Sequence, residues 1–321
     1  MKKNSQYIKL IHSTRSRLGT FLLTCLAAGT ATANTSVLCQ DDMPMRVADD
    51  KPSAPAAYAL FDAKGKKIGF KEMVAQLAEA DVVFVGEVHN CCITHWMELQ
   101  ITQALHQIHG NRLMMGAEMF EADNQLLMDE YMKRVISYDS FEDEARLWPN
   151  YQTDYSALVY YAKEHAIPFV ATNVPRRYAS VVKNKGLEYL DSLSDEAKRY
   201  LPPLPIKFSK DEEQEEMFSM MRMMGKGHGE KSFLSEAQAI KDATMGWFIA
   251  QRMKDKFLHF NGNYHSDFKK GIVPYLLEYR PGTKVKTVCS VRQETVDALD
   301  EVNQGRADFY ICVPEDMTTS Y

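Results

Sequence analysis

Val82-Val83-Phe84-Val85 runs straight into Gly86-Glu87-Val88-His89, and this stretch decides the fold. A short apolar run that breaks into glycine, carboxylate and imidazole reads as a buried strand whose carboxyl end carries chemistry. Three further runs repeat the pattern. LMMGA leads into Glu118-Met119-Phe120, PFVAT into Asn173-Val174-Pro175-Arg176-Arg177, and LHFN into Gly262-Asn263-Tyr264-His265. In a parallel sheet with helical crossovers, loops that follow strand carboxyl ends lie along one rim, and ligands bind in the crevice there. The expectation is one site at which His89, Glu118, Asn173, Arg176 and His265 meet.

Working outward, strands are expected at 58–62, 82–85, 113–118, 168–172, 257–261, 284–291 and 308–313. Helices are expected at 71–80, 92–108, 122–136, 155–166, 176–185, 234–254 and 267–278. That alternation predicts an α/β domain over 56–321 built on a largely parallel sheet flanked by helices. It breaks between about 187 and 232, where a proline-rich stretch precedes a helix carrying Met217, Met220, Met221 and Met224 at helical spacing. This insertion reads as a helical cap over the strand rim. No internal repeat and no glycine-rich phosphate loop of useful specificity occurs.

The amino-terminal residues stand apart. Lys2, Lys3, Lys9, Arg15 and Arg17 precede an apolar stretch from Leu18 to Ala28 and the triplet Ala31-Thr32-Ala33, the layout of a secretory leader cut after residue 33. A lipoprotein signal acylated at Cys25 is the competing reading, and 34–55 reads as a polar tether. The expected location is therefore the periplasm or the outer membrane, with a lipid anchor as the alternative. Cleavage removes five basic and no acidic side chains, leaving 33 Lys and Arg against 43 Asp and Glu, a formal charge of −10. A chain this acidic, without a long basic run, is not built for nucleic acid. Five cysteines would remain, without zinc-ligand spacing; Cys289 and Cys312, in two late strands, either pair or stay as core thiols.

Two GxxH tetrapeptides, each directly after an apolar strand, present His89 and His265 at the rim, and Gly86 and Gly262 are read as sharp backbone turns. Glu87 and Glu118 add carboxylates, which orient an imidazole and raise its basicity for general-base work or metal ligation. Arg176 and Arg177, at a helix start, suit a carboxylate or phosphate ligand. The methionine face with Lys226 and His228 at its end offers an apolar wall, a ligating group and a cation. Those are the requirements of haem.

GEVH at 86–89, AEMFEADNQ at 117–125, PFVATNVPRR at 168–177, EAQAIKDATMGWFI at 236–249 and HFNGNYH at 259–265 together resemble the ChaN family of exported bacterial haem-binding proteins linked to iron uptake. The resemblance spans roughly 57–313 and extends to the TIKI metalloproteases and erythromycin esterases, which share the family's ancestral fold. It implies a haem held by a tyrosine at a subunit interface, with Tyr155 the matching position, and His228 in the His- and Gly-rich stretch. On this reading the chain is a non-enzymatic haem carrier, with Tyr155 or His228 on the iron and Arg176 or Lys226 on the propionates. A second copy around the haem and an outer-membrane haem receptor are the implied partners. The alternative is a metal-dependent hydrolase, protease or esterase, with Glu87, His89, Glu118 and His265 holding a divalent metal or activating water.

Overall fold

The computed structural model describes residues 56–209 and 233–321. The leader, the tether, Cys25, and the methionine-rich segment with Lys226 and His228 lie outside the described residues. Eight strands form one sheet: β1 (Ala59–Asp62), β2 (Lys67–Ile68), β3 (Val82–Glu87), β4 (Leu113–Glu121), β5 (Phe169–Asn173), β6 (Lys256–Gly262), β7 (Val285–Gln293) and β8 (Phe309–Pro314). Their spatial order is β2-β1-β8-β7-β3-β6-β4-β5. From β8 to β5 every pairing is parallel, while β1 runs antiparallel to both β8 and β2. The sheet is thus mixed and mostly parallel, as the alternation predicted. The two-residue β2 was too short to leave a periodic signal.

Nine helices are described: α1 (Phe70–Leu77), α2 (Cys92–His109), α3 (Gln125–Met132), α4 (Tyr138–Glu144), α5 (Ser156–Glu164), α6 (Arg176–Lys185), α7 (Asp195–Lys198), α8 (Leu234–Arg252) and α9 (Ile272–Tyr279). Strand side chains alternate between two cores, as the pleat requires. Val83 and Val85 pack with Met97 and Ile101 of α2 and Leu158 and Val159 of α5. Val82 and Phe84 pack on the opposite face with Met245 and Ile249 of α8 and Leu276 of α9. A Cβ at Gly246 would lie 2.9 Å from the Leu276 backbone nitrogen, so α8 and α9 touch where only glycine fits.

Residues 187–206 pack Leu190, Leu201 and their neighbours against α6 and α8, and carry only a 3-10 turn and the short α7. The expected helix over 122–136 stops at Met132, because Arg134 takes a left-handed conformation at φ 61°. A separate helix, α4, then follows Ser137, whose hydroxyl accepts from the Ser140 N–H and caps it. Cys289 and Cys312 are both buried free thiols, which settles the pairing question. Among the described residues no helix is long and apolar enough to cross a membrane.

Candidate functional site

Glu87 ends β3 and is 2% exposed. Its Oε1 atom accepts a hydrogen bond from the Tyr155 hydroxyl at 2.7 Å and lies 2.5 Å from His89 Nδ1. Burial opposes charge on His89, yet the Glu87 hydrogen bond and the Glu87 and Glu118 charges raise its pKa. The His89 side chain is 39% exposed, with its ring edge against Trp148 at 5.1 Å between centroids.

The second histidine sits deeper. His265 Nδ1 is 2.6 Å from Asp242 Oδ1, and its Nε2 is 3.2 Å from Glu118 Oε1. Burial works against the imidazolium, but the Glu118 and Asp242 charges prevail and push its pKa up to about 10. Glu118 is held well below the usual carboxylate range by His265 in spite of its own burial. Asp242 goes the other way, because burial outweighs the same imidazolium. The charge pair is therefore His265 with Glu118, while Asp242 accepts from Nδ1 and fixes the ring.

Local backbone structure aims these groups. Opposite Asn173, β4 slips register between Ala117 and Glu121, a bulge that turns Glu118 inward. Asn173 Nδ2 donates to the Glu118 carbonyl at 2.9 Å and locks the bulge. Gly262 N–H donates to Glu118 Oε2 at 2.8 Å, and a Cβ at Gly262 would come within 2.8 Å of His89 Nε2. Gly86 has the same character, since its Cβ would meet Asn263 Oδ1 at 2.6 Å. Neither glycine is among those with positive φ, so they serve close approach rather than the sharp turn expected of them.

A π-helical turn over Tyr151–Tyr155 precedes α5 and drives Tyr151, Asp154 and Tyr155 inward. Behind Glu87, His95 Nε2 lies 3.1 Å from the His89 carbonyl, and His95 Nδ1 lies 3.2 Å from Glu98 Oε2 and 3.6 Å from Glu87 Oε2. Asn150 Nδ2 donates to both the His89 carbonyl and Asp154 Oδ2, and the Ser320 hydroxyl also donates to Asp154 Oδ2, at 2.7 Å.

Beside the rim, α6 and α8 flank a crevice of about 380 Å³ lined by Glu118, Trp148, Asn173, Val174, Arg176 and Lys241, among others. Arg176, Ala179, Ser180 and Lys183 share the α6 face that lines it. Arg177 turns away to Asp123, which also pairs with Arg146. Tyr155 is 1% exposed, and burial, then the Glu87 charge, hold its proton far above the ordinary phenol range. As it stands the phenol is a donor to Glu87.

The strand ends thus bring Glu87, His89, Glu118, Asn173 and His265 together, with Arg176 in the adjoining crevice. Sequence reasoning missed His95, Glu98, Asn150, Asp154 and Asp242. The His95-x-x-Glu98 spacing just after GEVH, and the acid inside EAQAIKDATMGWFI, were the available signals.

A mostly parallel α/β sheet with paired carboxylate–histidine groups at its carboxyl rim defines the class. The chain belongs to the haem-binding uptake family ChaN of the Tiki superfamily, whose model matches residues 73–276. Among solved structures, ChaN of Campylobacter jejuni, described with cofacial haem binding, is 19% identical with a TM-score of 0.61, covering 79% of this chain and 96% of that one. A mutant of erythromycin esterase EreC in its open conformation is 13% identical with a TM-score of 0.42, covering 81% and 83%. The type III effector HopBA1 is 10% identical with a TM-score of 0.43, covering 76% and 92%. No curated protein matches the sequence.

Proposed function

We propose that this chain is an exported haem carrier for iron acquisition and that haem seats in the crevice between α6 and α8. Membership of a haem-binding uptake family supports this. The observation that carries it is the composition of the crevice, where Trp148, Val174, Leu234 and Ala237 supply apolar surface beside Arg176, Lys183 and Lys241. Apolar wall and clustered cations are what a flat macrocycle with two propionates requires. Glu118 and Glu121 line the same crevice, but Glu118 is paired with His265 and Glu121 with Arg146, so among the described residues neither forms an ion pair with these three cations. A second copy of the chain and an outer-membrane receptor are the proposed partners, and the periplasm or outer membrane the proposed location.

Iron ligation by Tyr155 would require the phenol to leave Glu87 and lose a proton that burial holds on. The expected outcome of haemin titration is therefore a saturable Soret band in the wild type that persists in Tyr155→Phe. Loss of the band in Tyr155→Phe would return the ligand role to that residue. The absence of a saturable band in the wild type would remove the function.

One observation favours a second reading. His265 held between Asp242 and Glu118, with His89 and Glu118 both close to Gly262, gives the rim an acid–base pair suited to activating water or an ester. Ester or peptide hydrolysis lost in His265→Gln would establish it, and its arrest by a chelator would add a metal.

A further inference from the structure

Two buried oxygens beneath the rim have no hydrogen-bond partner: Glu87 Oε2 and Glu98 Oε1. Glu98 is fully buried and Glu87 nearly so. Buried carboxylates without compensation are costly, so space between two of them calls for positive charge.

The surrounding bonds sharpen this. Glu87 Oε1 is committed to Tyr155 and His89, which leaves Oε2 as the free ligating atom. His95 Nε2 faces the His89 carbonyl, an acceptor only, so Nε2 donates there, and Nδ1 donates to Glu98 Oε2 until an ion displaces its proton. Nδ1 then points toward the carboxylates, 3.6 Å from Glu87 Oε2 and 3.2 Å from Glu98 Oε2. One ligand atom from each of Glu87, His95 and Glu98 falls within 4.8 Å of the others. Around an ion with bonds of about 2.0 to 2.2 Å, tetrahedral neighbours sit about 3.4 Å apart, so the two shorter separations already match a coordination edge.

We infer that Glu87, His95 and Glu98 form a site for one first-row divalent cation, with Tyr155, His89 and the His89 carbonyl as the shell that orients the ligands. One imidazole nitrogen and two carboxylates suit Zn²⁺, Mn²⁺ or Fe²⁺ rather than a soft monovalent ion. Two carboxylates neutralise the dication in a place where net charge is expensive. The site lies behind Glu87, away from the α6/α8 crevice, and stands whether or not haem binds there. Its ligand set is also separate from the Glu118–His265–Asp242 group, since Glu87 is the one residue shared with the wider rim.

Co²⁺ is the probe, because its ligand-field bands report a bound ion directly. Full-length haem-free protein, stripped with a chelator and titrated with Co²⁺, is expected to bind one equivalent with visible ligand-field bands. The same bands are expected in His265→Gln. They should vanish in Glu98→Gln and in His95→Gln, two variants that guard against misfolding in either one, with circular dichroism confirming the fold. No bands in the wild type would overturn the inference and leave a proton shared between the carboxylates. Bands that survive both His95→Gln and Glu98→Gln, or that depend on His265, would overturn it by placing the ion at the rim.

Discussion

His259 shows how one wholly buried side chain ties the rim to pH. Its Nδ1 lies 3.0 Å from Asn261 Oδ1 and its Nε2 2.8 Å from Thr172 Oγ1. Burial, the largest influence, pushes its pKa down to about 4 against the Asn261 hydrogen bond. The folded state therefore keeps His259 neutral while the unfolded chain takes up a proton below about pH 6.5. Its stabilising contribution is complete above that pH and is lost as pH falls toward 4, by about 3 kcal/mol in all. Urea unfolding of the wild type and His259→Gln should therefore converge in stability between pH 7 and 4.5, and a constant difference would contradict a neutral buried imidazole. At this scale the sequence revealed residues that end apolar runs: Glu87, His89, Glu118, Asn173 and His265. It concealed Glu98, Asp154 and Asp242, because an acid inside a helix looks the same in sequence whether it faces solvent or a histidine. Only burial separates the two cases, and burial is set by the neighbouring elements.

Elements with strong apolar periodicity were legible to within a few residues, and α6 was read at its observed bounds. The features that tune the site were not. The β4 bulge that aims Glu118 and the π turn that buries Tyr155 insert residues without changing composition, so no local pattern marks them. They emerge from partners distant in the chain: Asn173 for the bulge, Glu87 for the turn. Close helix packing is equally silent in sequence, although Gly246 sits within a helix that would otherwise favour a side chain there. Replacing it with valine would force a Cβ against the Leu276 backbone, which cannot rotate away. Gly246→Val should lower stability by about 1–3 kcal/mol, read as a lower urea midpoint. An unchanged midpoint would mean that α8 and α9 do not touch as described.

Over the whole molecule, the strand order decides where the chemistry falls. Returning β6 between β3 and β4 places the GNYH turn beside both the GEVH turn and the Glu118 bulge. The parallel sheet was legible because alternating strands and helices admit few other arrangements. The strand order itself was not, since β6 follows β4 by more than a hundred residues and pairs with it across the core. The full chain carries a net charge of −5, whereas Arg176, Lys183 and Lys241 outnumber Glu118 and Glu121 along the α6/α8 crevice, which ties ligand choice to it. The central claim is that this crevice receives haem through its cations. The most direct measurement is haemin titration of the full-length wild type beside an Arg176→Glu, Lys241→Glu double variant, followed at the Soret band. The account predicts saturable binding by the wild type and affinity at least about tenfold weaker in the variant, the effect of roughly 1.4 kcal/mol from reversed propionate contacts. Equal affinities, with the fold intact, would contradict it.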